Sequence, residues 1–543
     1  MVFKALPYTL KLVFFIYRLI RRLHKNHTKA LKRTLSNTHA SHFKPQTPFS
    51  PPDQIDLSRK TLIFDVEGTL LRSSSVFPYF MLVAFEAGSL IRAFILFTLY
   101  PILCLVNDEL SLKIMVMVCF FGIKKDGFRV GSSVLPKFFL EDVGMEGFNV
   151  LRRGGKKVGV SKLPQVMVEC FLKDYLEIDF VFGRDLVVFG GYFVGVMKDN
   201  KNHIKHRLND VLEEEEEEPK VCFLNRSIKH DWISCSKEVY LTSDGEKMAW
   251  QALPRERYPK ALIFHDGRLA FRPEPLSMLV MFMWFPFAIV LSIFRATIAI
   301  LLPYGALIPI LTFTGMQLRL SNNNNSTENP KSHDHNNKQH KGLLYVCNHR
   351  TLLDPLYLSF GLKKPFAAVT YSLSRMSEII SPIRTVRLTR DREQDAKTMD
   401  KMLKQGDLVV CPEGTTCREP YLLRFSPLFA ELSDCIVPVA LDNHVSMFYG
   451  TTAGGLKCLD PFLFMMNPNP VYRVRFLEMV SGVSSRSRSS CGGDDDARFD
   501  VANYVQSEIG KMVEFECTSL TRKDKYMVLA GNEGVVNSAN KRR

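Results

Sequence analysis

The segment from Leu276 to Met316 limits the fold of this chain more than any other feature. It is almost continuously apolar, and Arg295 is its only charged residue. Because about 20 apolar residues in a helix cross a bilayer, the segment is long enough for two short helices turned near Arg295 or Pro303. A re-entrant hairpin and a buried helical pair in a soluble core fit the same pattern. In each case the segment separates an earlier part of the chain from a later one.

A second apolar stretch runs from Val76 to Val106. Its later part, Ser89 to Val106, is near the lower limit of the length that crosses a bilayer. Glu86 and Arg92 argue against a clean span. A membrane-embedded hairpin and a buried cap helix are therefore equal alternatives for this stretch.

The N-terminal segment combines positive charge with an apolar run. Residues 1 to 44 contain no Asp or Glu, and Lys and Arg residues surround the run from Leu12 to Ile20. A secretory signal is disfavoured because Arg18, Arg21 and Arg22 interrupt and follow the run without a small-residue cleavage site. The pattern favours an interfacial helix held by anionic lipid headgroups, with a transit peptide as the alternative.

Charge and cysteine usage limit the classes of partner. The formal net charge of +15 favours an anionic partner, which is nucleic acid, an anionic membrane surface or a phosphorylated substrate. Nucleic acid is disfavoured because the sequence has no zinc-ligand spacing, no RNP-like strand and no interleaving of aromatic and basic residues. The 12 cysteines are scattered without CxxC pairs, so no disulfide scaffold is expected.

Shifts in composition predict the domain boundaries. The acidic run Glu213–Glu218 is expected to be an exposed insertion, because like charges repel one another. In chain order we expect a basic N-terminal segment and linker at 1–56, a first α/β domain at 57–272, a membrane-associated helical segment at 273–320, a polar low-complexity linker at 321–341, a second α/β domain at 342–480, and a polar linker with a C-terminal tail at 481–543.

The first domain opens on an apolar strand that leads into an acidic turn. The stretch Leu62–Leu70 reads LIFDVEGTL and resembles the first motif of haloacid dehalogenase-like phosphatases, in which a strand ends in Asp-x-Asp-Gly-Thr. In that family the first Asp attacks phosphorus, the second handles the leaving-group proton, and both lie beside magnesium. Asp65 is retained here, whereas Glu67 has one extra methylene at the second position. A misplacement of about 1 Å can cost roughly a hundredfold in rate.

The later phosphatase motifs are less complete. Ser161, which follows a short apolar strand pattern, supplies a hydroxyl suited to phosphate. The acidic loop of the family aligns with Leu224–Lys229, where neutral Asn225 and positive Lys229 replace both acids. Magnesium prefers anionic oxygen ligands, and a lysine would repel it. The resemblance therefore implies a phosphatase-like domain that has lost catalysis.

The second domain opens with an apolar strand and a polar turn, Gly342–Pro355, which carries His349 and Asp354. On a regular helix, five residues turn through about 500°, which would leave these side chains about 140° apart. Contact between them therefore requires an irregular strand-to-helix turn, and Pro355 disfavours helical geometry at Asp354. In such a turn the carboxylate can hold one imidazole nitrogen while the other accepts a hydroxyl proton, which predicts a general base.

After this first block, Gly342–Pro355, a second block at Ile380–Arg392 and a third at Asp407–Pro420 contain candidate ligand-binding side chains. Ile380–Arg392 alternates basic and apolar residues, which predicts a strand with one cationic face or a solvated edge, and arginines can fork onto phosphate oxygens. Asp407–Pro420 repeats the pattern of a strand followed by a polar turn. Its Gly414 lets the backbone approach a ligand, while Glu413 and Arg418 can hold hydroxyl and phosphate groups.

Together with an apolar fourth block, Ile436–Leu441, these motifs resemble the glycerolipid acyltransferase superfamily in order and spacing. Asn348–Pro355 and Pro412–Pro420 look most like the blocks of land-plant glycerol-3-phosphate acyltransferases. The resemblance covers roughly residues 60 to 480. It implies two α/β domains, one haloacid dehalogenase-like and Rossmannoid and one with the acyltransferase αβ fold, which are joined by membrane-associated helices.

The resemblance also implies the chemistry of the site. His349 would deprotonate a hydroxyl of glycerol 3-phosphate for attack on an acyl-CoA thioester, and Asp354 would orient the base. The second block lacks the glycine usual in the superfamily, so the choice between its two candidate arginines is open. The family roles place substrate binding on Arg387, Arg390, Glu413, Gly414 and Arg418.

By the same resemblance, acyl-CoA is a co-substrate and no cofactor or metal is required. Without the acidic phosphatase motif the phosphate should stay on the product, lysophosphatidic acid. Family members tend to acylate the middle hydroxyl, sn-2, and to supply glycerolipid or cutin- and suberin-type synthesis. The partners implied are the two substrates and membrane lipid. The expected location is a membrane, the endoplasmic reticulum ahead of the mitochondrion.

Three alternatives stand beside this interpretation. A lysophosphatidate acyltransferase would use the same His349 and Asp354. A lipid-phosphate phosphatase would rely on the first domain and Asp65. A non-catalytic membrane scaffold would transfer no acyl group from any donor.

Overall fold

The structure is a computed structural model that describes residues 56–198, 220–226, 238–322, 342–370, 378–379, 381–389, 391–433, 435–481 and 494–533. The basic N-terminal segment and the acidic run Glu213–Glu218 lie outside the described residues, as do Lys229 and Arg390. Most of the two polar linkers expected at 321–341 and after 481 also lies outside them.

The chain divides into two compact units. The first unit runs to Leu262 and also includes Arg272–Phe282. The second unit comprises Ile263–Phe271 and the chain from Met283 onward. Each unit is built on its own β-sheet.

The strands of the first unit are, in chain order, β1 (Thr61–Asp65), β2 (Lys157–Pro164), β3 (Phe180–Arg184), β4 (Leu186–Phe189), β5 (Tyr192–Met197), β6 (Lys220–Asn225) and β7 (Glu238–Thr242). Strands β4 and β5 form an antiparallel hairpin, and the others form a parallel sheet in the order β3-β2-β1-β6-β7. Every residue of β1 is buried, as its unbroken apolar pattern predicts for a central parallel strand. Because the strands are parallel, Asp65, Ser161 and Asn225 lie toward the same edge of the sheet.

The helices of the first unit are α1 (Phe77–Val83), α2 (Leu90–Leu103), α3 (Asp108–Phe120), α4 (Val130–Ser133), α5 (Leu135–Leu140), α6 (Met145–Arg153), α7 (Gln165–Cys170) and α8 (Asp244–Ala249). Helix α8 begins with a capping box, in which the Ser243 hydroxyl accepts from Glu246 N and the Glu246 carboxylate accepts from Ser243 N. A π-helical turn, Val66–Leu70, follows β1 directly.

The apolar stretch Val76–Val106 folds as two helices rather than as one span. All residues of α1 are buried, whereas Ile91 and Phe94 of α2 are exposed, so the choice between a buried cap helix and a membrane-embedded hairpin stays open for the later part of the stretch. Helix α2 has 14 residues, which at about 1.5 Å per residue is too short for about 30 Å of hydrocarbon. Arg92 lies inside α2 and donates to the carbonyls of Cys119 at 2.8 Å and Phe121 at 2.9 Å, where α3 ends. The charged side chain of Arg92 thus bonds α2 to the end of α3.

The strands of the second unit are β8 (Gln317–Asn322), β9 (Leu344–Cys347), β10 (Ala367–Thr370), β11 (Arg384–Arg387), β12 (Leu408–Val410), β13 (Tyr421–Leu422), β14 (Cys435–His444), β15 (Val471–Phe476), β16 (Val480–Ser481) and β17 (Glu516–Cys517). The main sheet has the order β11-β10-β12-β9-β14-β15-β8, with β16 paired to β14. Its parallel central strands β9 and β12 are neighbours and buried, so the turns that follow them meet at one edge. Those turns carry the first and third sequence blocks.

The remaining helices are α9 (Pro275–Leu301), α10 (Tyr304–Phe313), α11 (Asp354–Leu362), α12 (Arg392–Leu403), α13 (Asp460–Met465), α14 (Asp494–Val513) and α15 (Arg522–Ala530). Apolar side chains from these helices form two core clusters with the main sheet. Met399 of α12 and Val505 of α14 belong to one cluster. Leu311 of α10 and Leu358 of α11 belong to the other.

The apolar segment Leu276–Met316 forms two helices, of 27 and 10 residues, separated at Pro303. The expected turn at Pro303 is confirmed, whereas the turn at Arg295 and the shortness of the first helix were wrong. Helix α9 continues through Arg295 because the guanidinium is buried and satisfied, donating to the carbonyls of Met465 at 2.6 Å and Asn467 at 2.7 Å. By length and composition, α9 is sufficient to cross a membrane.

Candidate active site

The turn after β9 is tied to the neighbouring strand β14 by Asn348. Its amide nitrogen donates to Leu441 O at 2.8 Å, and its amide oxygen accepts from Leu441 N at 2.7 Å. Asn348 is fully buried, so these two bonds satisfy the amide where water is excluded. The next residue, His349, is thereby held at the edge of the sheet.

His349 and Asp354 meet across this turn. Asp354 is buried at the first position of α11, and its Oδ2 lies 2.8 Å from Nδ1 of His349. Oδ2 also accepts from Arg350 N at 2.6 Å, and both carboxylate oxygens accept from Thr351 N at 3.0 Å. The two side chains therefore meet, and they do so across the irregular strand-to-helix turn that the sequence analysis said such a contact would need. Because the Nδ1 hydrogen is given to Asp354, Nε2 is the nitrogen that can take a proton.

The environment makes His349 a stronger base than a histidine in water. Burial by itself lowers the pKa of the imidazole, whereas the hydrogen bond and the negative charge of the Asp354 carboxylate raise it, and the net direction is upward. Ligand atoms of His349, Asp354 and Cys411 lie within 4.8 Å of one another, a set of donors that a soft cation such as Zn²⁺ accepts.

Tyr472 of β15 completes the bonding of Asp354, and no sequence motif indicated it. Its hydroxyl donates to Asp354 Oδ1 and lies 2.7 Å from Thr351 Oγ1. Its ring stacks on Tyr357 with centroids 3.9 Å apart. Tyr472 lies 118 residues after Asp354. Its strand alternates between more and less buried residues, which identifies a strand but gives no sign of a contact with Asp354. Its role depends on the antiparallel pairing of β14 and β15.

Glu413 positions the His349 turn from the third block. Its Oε1 accepts from His349 N at 2.6 Å, and its Oε2 accepts from Leu423 N at 2.9 Å. Burial raises the pKa of Glu413 to about 7, although these two backbone hydrogen bonds oppose the rise. Cys417 N adds a bond to His349 O at 2.9 Å. The described contacts of Glu413 are those of a positioning residue, and contact with substrate stays a prediction.

Arg418 and Gly414 have the surroundings expected of ligand-binding residues. The side chain of Arg418 is 8% exposed, its Nε donates to Thr451 Oγ1 at 3.1 Å, and its guanidinium carbon lies 4.3 Å from the ring centroid of Tyr449. Nη2 is 3.5 Å from Asp266 Oδ1, beyond ordinary hydrogen-bonding distance. Among the described residues, Nη1 and Nη2 have no hydrogen-bond acceptor, so they can serve an anion. Gly414 has a φ of 64°, in the left-handed region that favours glycine.

The second block is placed at the far edge of the sheet. Arg387 ends the edge strand β11, and its Nη2 lies 2.8 Å from Glu378 Oε1. Arg387 is not among the residues that line the cavity beside His349. Arg390 lies outside the described residues. Substrate binding by either arginine stays a prediction.

A cavity of about 490 Å³ lies beside His349. His349 and Cys411 line it at the end of the sheet, and apolar side chains from the helices and strands around it form most of the wall. Those apolar residues include Ala296, Ala299, Ile300, Leu311, Leu353, Leu356, Phe360, Val369, Leu388, Val410, Phe429 and Phe462. Such a lining suits an aliphatic chain whose polar end lies at His349.

At the corresponding edge of the first sheet, the polar side chains bond to groups of the protein itself. The Glu67 carboxylate accepts from the Ser161 hydroxyl and, at 3.2 Å, from Lys162 N. The Ser161 hydroxyl is the group that was expected to hold phosphate, and Lys162 N is a backbone donor next to it. Lys247 Nζ donates to Glu67 O at 2.8 Å and lies 3.5 Å from Asp244 Oδ1. The carboxylate of Glu67 therefore occupies donors that a phosphoryl group would need.

The remaining features of this edge do not fit a divalent cation. Asn225 is buried at the end of β6, and its amide donates to Asp244 Oδ1 at 2.8 Å. The Lys247 ammonium lies 3.5 Å from Asp244 Oδ1, and its positive charge would repel a divalent cation bound nearby. Lys229, the other expected departure from the phosphatase motif, lies outside the described residues.

Comparisons with known proteins agree with this architecture. A family model described as "Glycerol-3-phosphate acyltransferase RAM2-like, HAD-like domain" matches residues 61–242, and one described as "Acyltransferase" matches residues 329–442. The chain is 54% identical to "Probable glycerol-3-phosphate acyltransferase 3" of Arabidopsis thaliana over 97% of this chain and 98% of that protein. It is 40% identical to "Glycerol-3-phosphate acyltransferase RAM2" of Petunia hybrida over 87% of this chain and 98% of that protein. The chain therefore belongs to the plant glycerol-3-phosphate acyltransferase family.

Proposed function

We propose that this protein transfers a fatty acyl group from acyl-CoA to glycerol 3-phosphate. The observation that carries the proposal is the 2.8 Å contact between His349 and Asp354 beside a large apolar cavity. A general base at the end of an apolar cavity suits a reaction between a polar hydroxyl and a long-chain thioester.

In the proposed reaction, Nε2 of His349 takes the proton of the attacking hydroxyl. The hydroxyl oxygen then forms a bond to the thioester carbonyl carbon, and the bond from that carbon to sulfur breaks as coenzyme A leaves with the proton. Asp354 holds the imidazole through Nδ1 and stabilises the imidazolium that forms. Tyr472 and Glu413 position this pair from opposite ends, through Asp354 Oδ1 and His349 N.

The acyl chain occupies the cavity in this proposal. Ala296 and Ala299 of α9 leave space that larger side chains would fill, while Leu353 and Phe360 of α11 supply contact area. Burying an aliphatic chain yields about 0.8 kcal/mol for each methylene removed from water. The donor is therefore expected to bind mainly through its chain, with the thioester carbonyl near His349.

Helix α9 is the element that we propose meets the membrane. Polar side chains along one side bond to the α13 region: Trp284 Nε1 donates to Met466 O and Ser292 Oγ to Phe462 O, each at 2.9 Å. Val290, on another side, is 68% exposed. These bonds favour a helix that lies along the protein with its apolar side in the bilayer, so that an acyl chain can enter directly. The endoplasmic reticulum is the proposed location.

The product in this proposal keeps its phosphate. The bonds of Glu67 to Ser161 and Lys162, together with the Lys247 ammonium, disfavour phosphoryl transfer in the first unit. The product is then lysophosphatidic acid, acylated at the sn-2 hydroxyl as is usual for the family it belongs to. It would supply glycerolipid or cutin- and suberin-type synthesis.

The decisive experiment is acyl transfer by purified protein in lipid or detergent. With labelled acyl-CoA, we expect product from glycerol 3-phosphate, and regiochemical analysis would identify its position. His349→Ala should lose at least about a hundredfold in kcat. If only lysophosphatidate is acylated, the lysophosphatidate alternative is correct, and if no acceptor is acylated, the scaffold alternative is correct. Full activity in His349→Ala would contradict the catalytic role.

A further inference from the structure

The C-terminal tail is part of the second unit and reaches the third sequence block. Strand β17 pairs with β13, with Leu422 opposite Cys517. Gln506 of α14 donates to Leu423 O at 2.8 Å. These contacts carry the chain to α15, the last helix that the structure describes. A segment that the sequence suggested to be a mixed tail is therefore a built part of the acyltransferase unit.

Helix α15 lies directly against the Gly414 turn. Lys525 is buried, and its Nζ donates to Thr416 O at 2.5 Å and to Thr416 Oγ1 at 3.1 Å. A further bond joins Nζ to Thr415 Oγ1 at 3.3 Å. Burial lowers the pKa of Lys525 to about 8, but these acceptors keep its donors satisfied. The position of α15 relative to the third block is thus determined by buried polar contacts.

A second cavity, of about 440 Å³, lies between α12, the third block and α15. Arg392 at the start of α12 and Arg522 at the start of α15 both line it. Gly414, Ser426 and Leu428 line both this cavity and the apolar cavity beside His349. The two cavities therefore meet at the Gly414 turn.

The space beside the Gly414 turn is open, because a Cβ built on Gly414 would meet no atom within 4 Å. The basic cavity also contains Asp395, but its Oδ1 accepts from Thr389 N at 2.7 Å and Thr389 Oγ1 at 3.0 Å. Two arginines and one aspartate leave a net charge of +1 in the lining. This balance favours an anionic ligand.

We propose that this second cavity binds a phosphate group of a phosphorylated substrate through Arg392 and Arg522, while the reacting atoms of that substrate lie beside His349. The proposal rests on the proposed function. It assigns a role to Arg522, on a helix outside the four sequence blocks, and to Arg392, the last residue of the second block. Guanidinium groups match phosphate oxygens with paired N–H donors, and the Tyr526 ring lies 4.7 Å from the guanidinium carbon of Arg522, which limits its motion.

Two substrates carry phosphate, and steady-state kinetics separates them. We would measure KM for glycerol 3-phosphate at saturating acyl-CoA, and KM for acyl-CoA at saturating glycerol 3-phosphate, in Arg522→Gln and Arg392→Gln. Loss of a charged hydrogen bond should raise one of these KM values by about tenfold while kcat changes by less than about twofold. The substrate whose KM rises is the one whose phosphate the cavity holds. Arg522→Lys should recover part of the loss, because it restores charge but not the paired donors.

Lys523→Gln is the matched control, since Lys523 is the next residue on the same helix, is exposed, and pairs with Glu533 at 2.8 Å. It should leave both KM values unchanged. Unchanged KM values for both substrates in correctly folded Arg522→Gln and Arg392→Gln would overturn the proposal. Measuring the direct binding of coenzyme A and of glycerol 3-phosphate to the full chain distinguishes failure of the phosphate-site proposal from failure of the proposed acyl transfer. If the wild type binds either ligand, but Arg522→Gln does not, the phosphate site stands even where no acyl transfer is found.

Discussion

Tyr472 donates its hydroxyl hydrogen to Oδ1 of Asp354, the carboxylate whose other oxygen holds His349. The two residues lie 118 residues apart in the sequence, yet both are buried beside the main sheet of the second unit. A carboxylate with every lone pair engaged has one orientation, so the imidazole that it holds is also fixed.

Removing the Tyr472 hydroxyl should reduce turnover more than substrate binding. Tyr472→Phe keeps the ring stacked on Tyr357 but leaves Asp354 with one donor fewer. We expect kcat to fall about tenfold with KM nearly unchanged, and the free energy of unfolding to fall by about 1 kcal/mol. Tyr357→Phe is the matched control, because among the residues that the structure describes that hydroxyl bonds only to the sulfur of Met316, at 4.0 Å. Equal effects of the two changes on kcat would contradict the positioning role of Tyr472.

Removing the Asp354 charge should move the pH dependence of the reaction. The pKa of His349 is raised above its ordinary value: burial lowers it, but the hydrogen bond and the negative charge of Asp354 raise it. Only the neutral imidazole accepts a proton, so the wild-type rate should increase as pH rises through this raised pKa. In Asp354→Asn the imidazolium loses a stabilising carboxylate, and the acid limb of the kcat profile should shift to lower pH. The plateau should also drop by at least about a hundredfold, because the ring loses its orientation.

A profile of kcat against pH from 5 to 9 measures both effects. An acid limb that stays in place in Asp354→Asn would show that another group controls the rate. A shift to higher pH would contradict the sign of the interaction.

Arg295 should be worth more to stability than any neighbouring polar residue of α9. Its guanidinium satisfies the carbonyls of Met465 and Asn467 and bonds to Thr314 Oγ1 at 3.0 Å. Arg295→Met would leave these buried acceptors unpaired, and we expect a loss of about 3 kcal/mol or more in the free energy of unfolding. Ser292→Ala, which removes a single bond to Phe462 O, should lose about 1 kcal/mol. Thermal unfolding of both variants in the same detergent measures the difference, and equal midpoints would refute it.

The first unit should release no phosphate, even after partial repair of its motif. We expect no magnesium-dependent phosphate release from lysophosphatidic acid by the wild type. Glu67→Asp combined with Asn225→Asp restores two acids but leaves the Lys247 ammonium at the backbone of residue 67, so this variant should also be inactive. Phosphate release that disappears in Asp65→Asn would show instead that the site is functional. Asp65→Asn should leave acyl transfer unchanged.

Local sequence patterns were sufficient for much of the fold. The fully apolar strand before Asp65 and the strand before His349 were recognisable because a central parallel strand is buried on both faces. The apolar segment Leu276–Met316 was recognised as helical by length and composition, and Pro303 was an available break because proline cannot continue a helix hydrogen-bond pattern. The spacing and Pro355 showed that His349 and Asp354 could meet only across an irregular turn, and the family resemblance implied that they do meet.

Residues that act through distant contacts had no such signal. Tyr472 reads as one position in an alternating strand, and Lys525 as one charge in a polar tail, until strand pairing and helix packing bring them to the site. The sequence also suggested Glu413 as a ligand group, whereas its described bonds hold the backbone at His349 and Leu423. Arg295 was one of two positions expected for the turn, with Pro303 the other, but buried carbonyls of the α13 region accept its hydrogen bonds and the helix continues to Leu301.

There is a physical reason why some of these features could be predicted from the sequence and others could not. Hydrophobic periodicity, proline geometry and short polar motifs are properties of neighbouring residues, so the primary structure specified the strands, the apolar helices and the His349 turn without further information. The partners of Asp354, Glu413 and Arg295 depend on strand register and on which buried groups remain unsatisfied after packing. Those choices are made between residues far apart along the chain, and they exist only once the sheet and its helices have assembled.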